Sequence, residues 1–235
     1  MKRATQLFLF EERALGVPVV AKLWRTRGTP AASFLAVAES HWEIVVTRQR
    51  GETTVSLLGP STAASVAPIP ADVEFFGIQF RHGAFMPDLA ARLLTDGAIH
   101  LPATTPETVW LGGTPWEIPT FENADAFVER LARSGLLAWD PIVEDALAGR
   151  VRTLSPRSVQ RRVVRATGLT MSSIDQIERA RAAADWLDRG ASIAETVGLA
   201  GYADHAHLTR SLKRFIGQTP SQLFHATQQP GQASA

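Results

Sequence analysis

The chain has 235 residues, a 45% hydrophobic fraction and a formal net charge of +1, which suits one large domain or two small ones with packed cores. It contains no cysteine, which excludes disulfides, thiolate nucleophiles, cysteine-ligated zinc and thiol redox sensing. Residues 1–140 hold 12 Lys/Arg against 15 Asp/Glu, whereas residues 141–235 hold 12 against 8, as expected if only the second part meets a polyanion.

At the N-terminus the apolar run stops at Glu11, so neither a signal peptide nor a membrane span is expected. No later run approaches bilayer length, and the chain reads as cytoplasmic. Residues 17–26, 41–47, 53–58, 63–67 and 73–80 are rich in Val, Ile, Phe and Trp and are bounded by Gly, Pro or polar clusters, the signature of short strands. Strands at this spacing predict a small antiparallel barrel or sandwich. Trp24, Trp42, Phe75, Phe76 and Phe80, with His41, suit an effector pocket and suit a plain core equally well. Leu89, Leu93 and Leu94 hint at a short helix. Residues 101–119 are dense in Pro, Gly and Thr and read as a linker, although Trp110 and Trp116 predict that it packs on something.

From residue 123 the pattern turns helical. Residues 123–134 place Phe127, Val128 and Leu131 on one side. Asp140-Pro141 and Ser155-Pro156 are N-cap and N1 pairs that start helices over 141–150 and 155–168. Arginines at 150, 152, 157, 161, 162 and 165 run without an acid, a pattern that by itself is more often a solvated face than a nucleic-acid site. Residues 172–188 form one long helix. Ser192 and Glu195 have capping-box spacing, Gly201-Tyr202-Ala203 turns the chain, and Asp204 caps a helix ending at Gly217. Leu208, Leu212, Phe215 and Ile216 make its apolar stripe, with Ala206, Arg210 and Lys213 opposite. Thr219-Pro220 begins another helix. Two helix-turn-helix units on either side of a rigid bar are the expectation, each with its second helix fit for a major groove.

Over residues 140–225 these stations, in this order, resemble the DNA-binding domain of AraC/XylS-type transcription regulators. The resemblance is carried by Val159-Gln160-Arg161 to Thr167-Gly168, Arg179, Ala183 and Trp186-Leu187, Ser192-Ile193, Gly201 to Asp204, His207 to Arg210 and Gly217 to Pro220. Thr196, Gly198 and Leu199 in the second supporting helix, and Val163 where an aromatic is common, depart from the pattern. The strand rhythm of 1–103, the turn Leu58 to Thr62 and Gly77 to Phe85 resemble the cupin-like regulatory domains, so the two resemblances together imply an α+β chain of two domains: an N-terminal small antiparallel β-barrel, cupin-like, over 1–103, and a C-terminal all-α seven-helix domain with two helix-turn-helix units over 139–228. Between them, 104–138 would be a linker with a helix serving an interdomain or dimer contact, and 229–235 a disordered tail.

The resemblance implies a non-enzymatic, sequence-specific regulator of double-stranded promoter or operator DNA. RNA polymerase, a small-molecule effector and a second copy of the chain are the further partners it allows; no membrane and no cofactor are expected. It maps base contacts onto Arg157, Gln160, Arg161, His205, Ala206, His207 and Arg210, and phosphate contacts onto Ser158, Arg165, Thr209, Ser211, Lys213 and Arg214. Trp24, His41, Trp42, Glu43, Phe76, Phe80 and His82 are the effector-pocket candidates. His41, Glu43 and His82 offer a possible metal set, but the full cupin spacing is absent and no metal site is assigned. The rival readings are a cupin-type metal-dependent enzyme or sensor carrying an accessory DNA-binding domain, and an architectural binder without sequence choice. A DNA-repair methyl acceptor is excluded by the absence of cysteine.

Overall fold

The computed structural model describes residues 9–27 and 32–228. The tail expected at 229–235 lies outside them. The first unit is built on a six-stranded antiparallel sheet in the order β1-β2-β7-β4-β5-β9. Its strands are β1 (Leu9–Arg13), β2 (Val20–Arg27), β4 (Glu43–Gln49), β5 (Glu52–Leu58), β7 (Val73–Phe80) and β9 (Ala98–Leu101). β3 (Ala32–Ala36) pairs separately with β6 (Ser65–Ile69). A tight turn at Arg50 and Gly51 joins β4 to β5, whose ladder runs from Glu43↔Leu58 to Gln49↔Glu52.

The barrel is open: among the described residues β1 and β9 are edges and no ladder joins them. Closure is replaced by cover from the segment read as a linker. Residues 103–117 form a small antiparallel sheet, β10 (Ala103–Thr105), β11 (Thr108–Leu111) and β12 (Thr114–Glu117), followed by α1 (Ala124–Arg133). Val109, Leu111, Trp116, Ile118, Phe127, Val128 and Leu131 from this stretch share one buried core with Leu23, Ile44, Val46, Ile78 and Phe80 of the large sheet. The apolar residues embedded among Pro and Gly therefore have a partner, and 104–138 belongs to the first unit instead of being a bare linker.

A two-residue ladder between β8 (Ala84–Phe85) and β13 (Ala138–Trp139) delivers the chain to the second unit. Helices α2 (Pro141–Leu147), α3 (Pro156–Thr167), α4 (Met171–Asp188), α5 (Ile193–Leu199), α6 (His205–Phe215) and α7 (Pro220–Gln228) follow. They surround a second core of Val143, Val163, Ile177, Leu187, Leu208, Leu212 and Phe215. The caps fall where the sequence places them. Asp140, Ser155 and Asp204 accept from the amides of Ile142, Ser158 and His207, and Ser192 and Glu195 complete a reciprocal capping box. Of seven α-helices among the described residues, α1 packs in the first core and six build the second unit. The predicted short helix is a single 3-10 turn at Ala91–Leu93. Among the described residues no helix is long and apolar enough to cross a membrane.

Candidate nucleic-acid interface and the seam behind it

Helices α2 and α3 make one helix-turn-helix and α5 and α6 another, with the 18-residue α4 between them. In α3 the apolar positions Val159, Val163 and Ala166 turn inward, which leaves Arg157 and Arg161 exposed and Gln160 half-buried. In α6 Leu208, Leu212 and Phe215 are buried, and His205, Ala206, Arg210, Lys213 and Arg214 are exposed. Arg157, Arg161 and Arg210 form no ion pair among the described residues. Arg162 differs, because it is engaged with Asp140 at 2.7 Å.

Other predicted contacts are partly committed elsewhere. The His207 ring stands edge-on to Tyr202, centroids 5.1 Å apart, and Ser211 Oγ lies 2.8 Å from the Tyr202 hydroxyl. Thr209 donates to the His205 carbonyl at 2.8 Å, and Ser158 is tied to the cap at Ser155. Arg165 is exposed, with its guanidinium 4.9 Å from the Phe85 ring. The departures in α5 are accommodated. Thr196 is fully buried, yet its hydroxyl donates to the Ser192 carbonyl at 2.9 Å, and Leu199 is 59% exposed.

Residues 149–226 match a family model described as a helix-turn-helix domain. The segment is an AraC/XylS-type helix-turn-helix domain. No curated protein matches the chain significantly. Among solved structures it is similar to ToxT from Vibrio cholerae, at 8% identity and a TM-score of 0.42, over 92% of this chain and 98% of that one. At that distance the likeness places no individual residue.

Behind the helix-turn-helix domain the first unit touches the C-terminal ends of both α3 and α6. The carbonyls of Arg214 and Phe215, at the end of α6, accept from the amides of Ala64 and Ala38 at 2.8 and 2.7 Å. Those amides satisfy acceptors that a helix end leaves open. Gly217 beyond α6 has φ +78° and Gly168 beyond α3 has φ +76°, the left-handed caps that favour glycine. A Cβ on Gly217 would stand 2.7 Å from Leu35, and one on Gly168 would stand 2.8 Å from the Ala91 carbonyl oxygen. The N-terminal end of the domain is held as well, by Arg81 with Glu144 at 2.8 Å.

The middle of this seam is polar. Arg181 of α4 donates to the Ala38 carbonyl at 3.0 Å and pairs with Glu39 at 2.9 Å. Glu39 Oε1 is 2.7 Å from His41 Nδ1, and the His41 and His82 rings stack at 3.9 Å. Ser40 Oγ is 2.8 Å from His82 Nε2 and donates to Glu178 of α4. Burial tends to raise the Glu39 carboxyl, but the His41 hydrogen bond and the Arg181 charge outweigh it and hold it at about 2. Burial and the neighbouring His41 push His82 down to about 3.

Glu43 does not join His41 and His82. Its carboxylate accepts from Trp24 Nε1 at 2.9 Å. Gly77, paired directly with Trp24, permits this, since a Cβ there would lie 2.2 Å from the indole. Burial raises the Glu43 carboxyl to about 7 against the Trp24 hydrogen bond. Trp42, Phe76 and Phe80 are core side chains, with Trp42 and Phe80 stacked at 4.1 Å. The cavity beside Trp42 measures about 10 Å³, room for a single water at most. Sequence reasoning missed Glu178 and Arg181. Both lie on the half-buried side of α4, and nothing local in the sequence marks them as partners of the sheet.

Proposed function

We propose that this DNA-binding transcription regulator reads two adjacent major-groove segments, α3 with Arg157, Gln160 and Arg161 and α6 with His205, Ala206, His207 and Arg210. The observation that carries this reading is the unspent state of Arg157, Arg161 and Arg210 on the exposed faces of the two second helices. An arginine without an intramolecular partner keeps its fork of donors for guanine O6 and N7. Arg165, Lys213 and Arg214, with Thr209, Ser158 and Ser211, would take phosphates and fix the register. Ser211 and His207 are the weaker members, because Tyr202 engages both.

The first unit would act on DNA binding through the seam, where it touches both recognition-helix ends. The packed aromatics around Trp42 and Phe80 favour control at that seam over a ligand enclosed in the sheet. The reading includes operator DNA as partner, a cytoplasmic site of action, no catalysis, and a second copy or RNA polymerase as further partners. Selection of bound sequences from a random DNA pool tests it. The expected result is a motif of two clusters about one helical turn, roughly 34 Å, apart. Failure to enrich any motif sinks the sequence-specific reading.

A further inference from the structure

We infer that His41, His82 and Glu178 form a binding site for a divalent transition-metal ion of the zinc class, stapling the sheet unit to the central helix of the DNA-binding unit. The inference deepens the regulator reading by naming the class of effector, and it rests on that reading only for its regulatory consequence.

One ligand atom from each residue lies within 4.8 Å of the others, and all three side chains are half-buried and so open to an arriving ion. A tetrahedral ion at 2.0–2.2 Å from its ligands needs them about 3.3 Å apart, so closure asks for small side-chain shifts. Two imidazoles and one carboxylate are a donor set for zinc and its neighbours, whereas calcium and magnesium take oxygen ligands. Three protein ligands also leave a fourth position for water.

Three surrounding features fit an ion. Glu39 Oε1, 2.7 Å from His41 Nδ1, holds that ring in place, and His41 Nδ1 also stands 3.4 Å from Ser40 Oγ at the centre of the cluster. Within the cluster Arg181 pairs with Glu39, and among the described residues no cation pairs with Glu178, whose carboxylate accepts only from Ser40. Ser40 Oγ lies within reach of His82, Glu178 and His41 at once and so occupies the point around which the three ligand atoms are gathered. Glu178 belongs to α4 and both histidines to the first unit, so binding favours the docked arrangement of the two.

The test is calorimetric titration of the chelator-treated full chain with zinc chloride. One ion per chain is expected, together with a melting temperature raised by about 5–10 °C at a hundredfold excess over Kd. His82→Ala and Glu178→Gln should abolish that binding. Ser40→Ala should preserve or tighten it, because the bridging hydroxyl competes with the ion. Glu39→Gln, which loosens the support of His41 together with the Arg181 pairing, should weaken it by about 10–100-fold. A double substitution of His205 and His207 to Ala should leave it unchanged. If His82→Ala fails to fold, Glu178→Gln carries the test. Absence of saturable one-to-one binding overturns the site, and so does an isotherm indifferent to Glu178→Gln. DNA selection with metal-free protein separates the claims: a motif enriched without zinc binding removes the metal site and leaves the regulator.

Discussion

An arginine that reads a base must not be held by its own protein. Arg161 and Arg210 meet that condition and Arg162 does not. Arg161→Ala and Arg210→Ala should each cost about 1–3 kcal/mol of discrimination, confined to one base position, in binding measured against single-base variants of the selected site. Lys213→Ala should weaken all sequences alike and reduce the slope of log affinity against log salt by about 1. If Arg210→Ala lowers affinity uniformly, Arg210 is a phosphate contact. Two half-buried titrations in the first unit oppose each other. Glu43 is raised in the fold to about 7, so its stabilisation is complete below its unfolded value near 4.5 and is lost as pH rises through 7. His82 is lowered to about 3, so its stabilisation is complete above its unfolded value near 6.5 and is lost as pH falls toward 3. Between pH 4.5 and 6.5 the two slopes cancel. In metal-free protein Glu43→Gln, whose amide oxygen can still accept from Trp24, should unmask His82. Denaturant-measured stability should then rise with pH across that window more steeply than in the unaltered chain, by about 1.4 kcal/mol per pH unit. A flat profile in the variant refutes the assignment.

At the scale of elements, α5 is the one helix whose sequence works against it. Gly198 sits inside it, exposed, with nothing within 4 Å of where a Cβ would stand. Gly198→Ala should therefore raise stability by about 1 kcal/mol without touching DNA affinity, read from the urea midpoint and from binding to the selected site. A destabilising result would mean that α5 bends or opens at Gly198. The helices were legible because their ends are written locally: Asp140, Ser155, Ser192 and Asp204 each cap within three residues. Strands β4, β5 and β7 were legible from their apolar runs. β1, β3 and β9 were not, since edge and two-stranded elements bury little and carry weak alternation. The sheet at 103–117 was hidden by its Pro and Gly, although Trp116, buried at 3% exposure, was the clue that it packs. The polar seam was illegible for another reason. Ser40 and Glu178 are 138 residues apart, and no periodicity records a pairing across two cores.

At the scale of the whole molecule, the question is whether the two units move as one. Ala38 answers it through both ends of one residue, its amide donating to Phe215 and its carbonyl accepting from Arg181. Ala64 adds a second amide on Arg214. These two amides report on the seam directly, because they are protected only while α6 is docked. Arg181→Ala removes the guanidinium from both Ala38 and Glu39 and leaves a carboxylate without its cation. A loss of about 1.5–3 kcal/mol is expected for a hydrogen bond to a charged group. If the seam opens ahead of global unfolding, hydrogen exchange at Ala38 and Ala64 should accelerate in the variant by about 10–100-fold, while the Val46 and Ile177 amides, deep in the two cores, stay protected. Linkage then requires reciprocity: whatever the seam does to DNA affinity, DNA must do to the seam by the same factor. Operator DNA added to the unaltered chain should slow exchange at Ala38 and Ala64 if reading needs the docked state, or speed it if reading needs release. Either change establishes that the sheet unit is coupled to the reading heads. Exchange at both amides indifferent to saturating operator would show that the first unit rides along without controlling them.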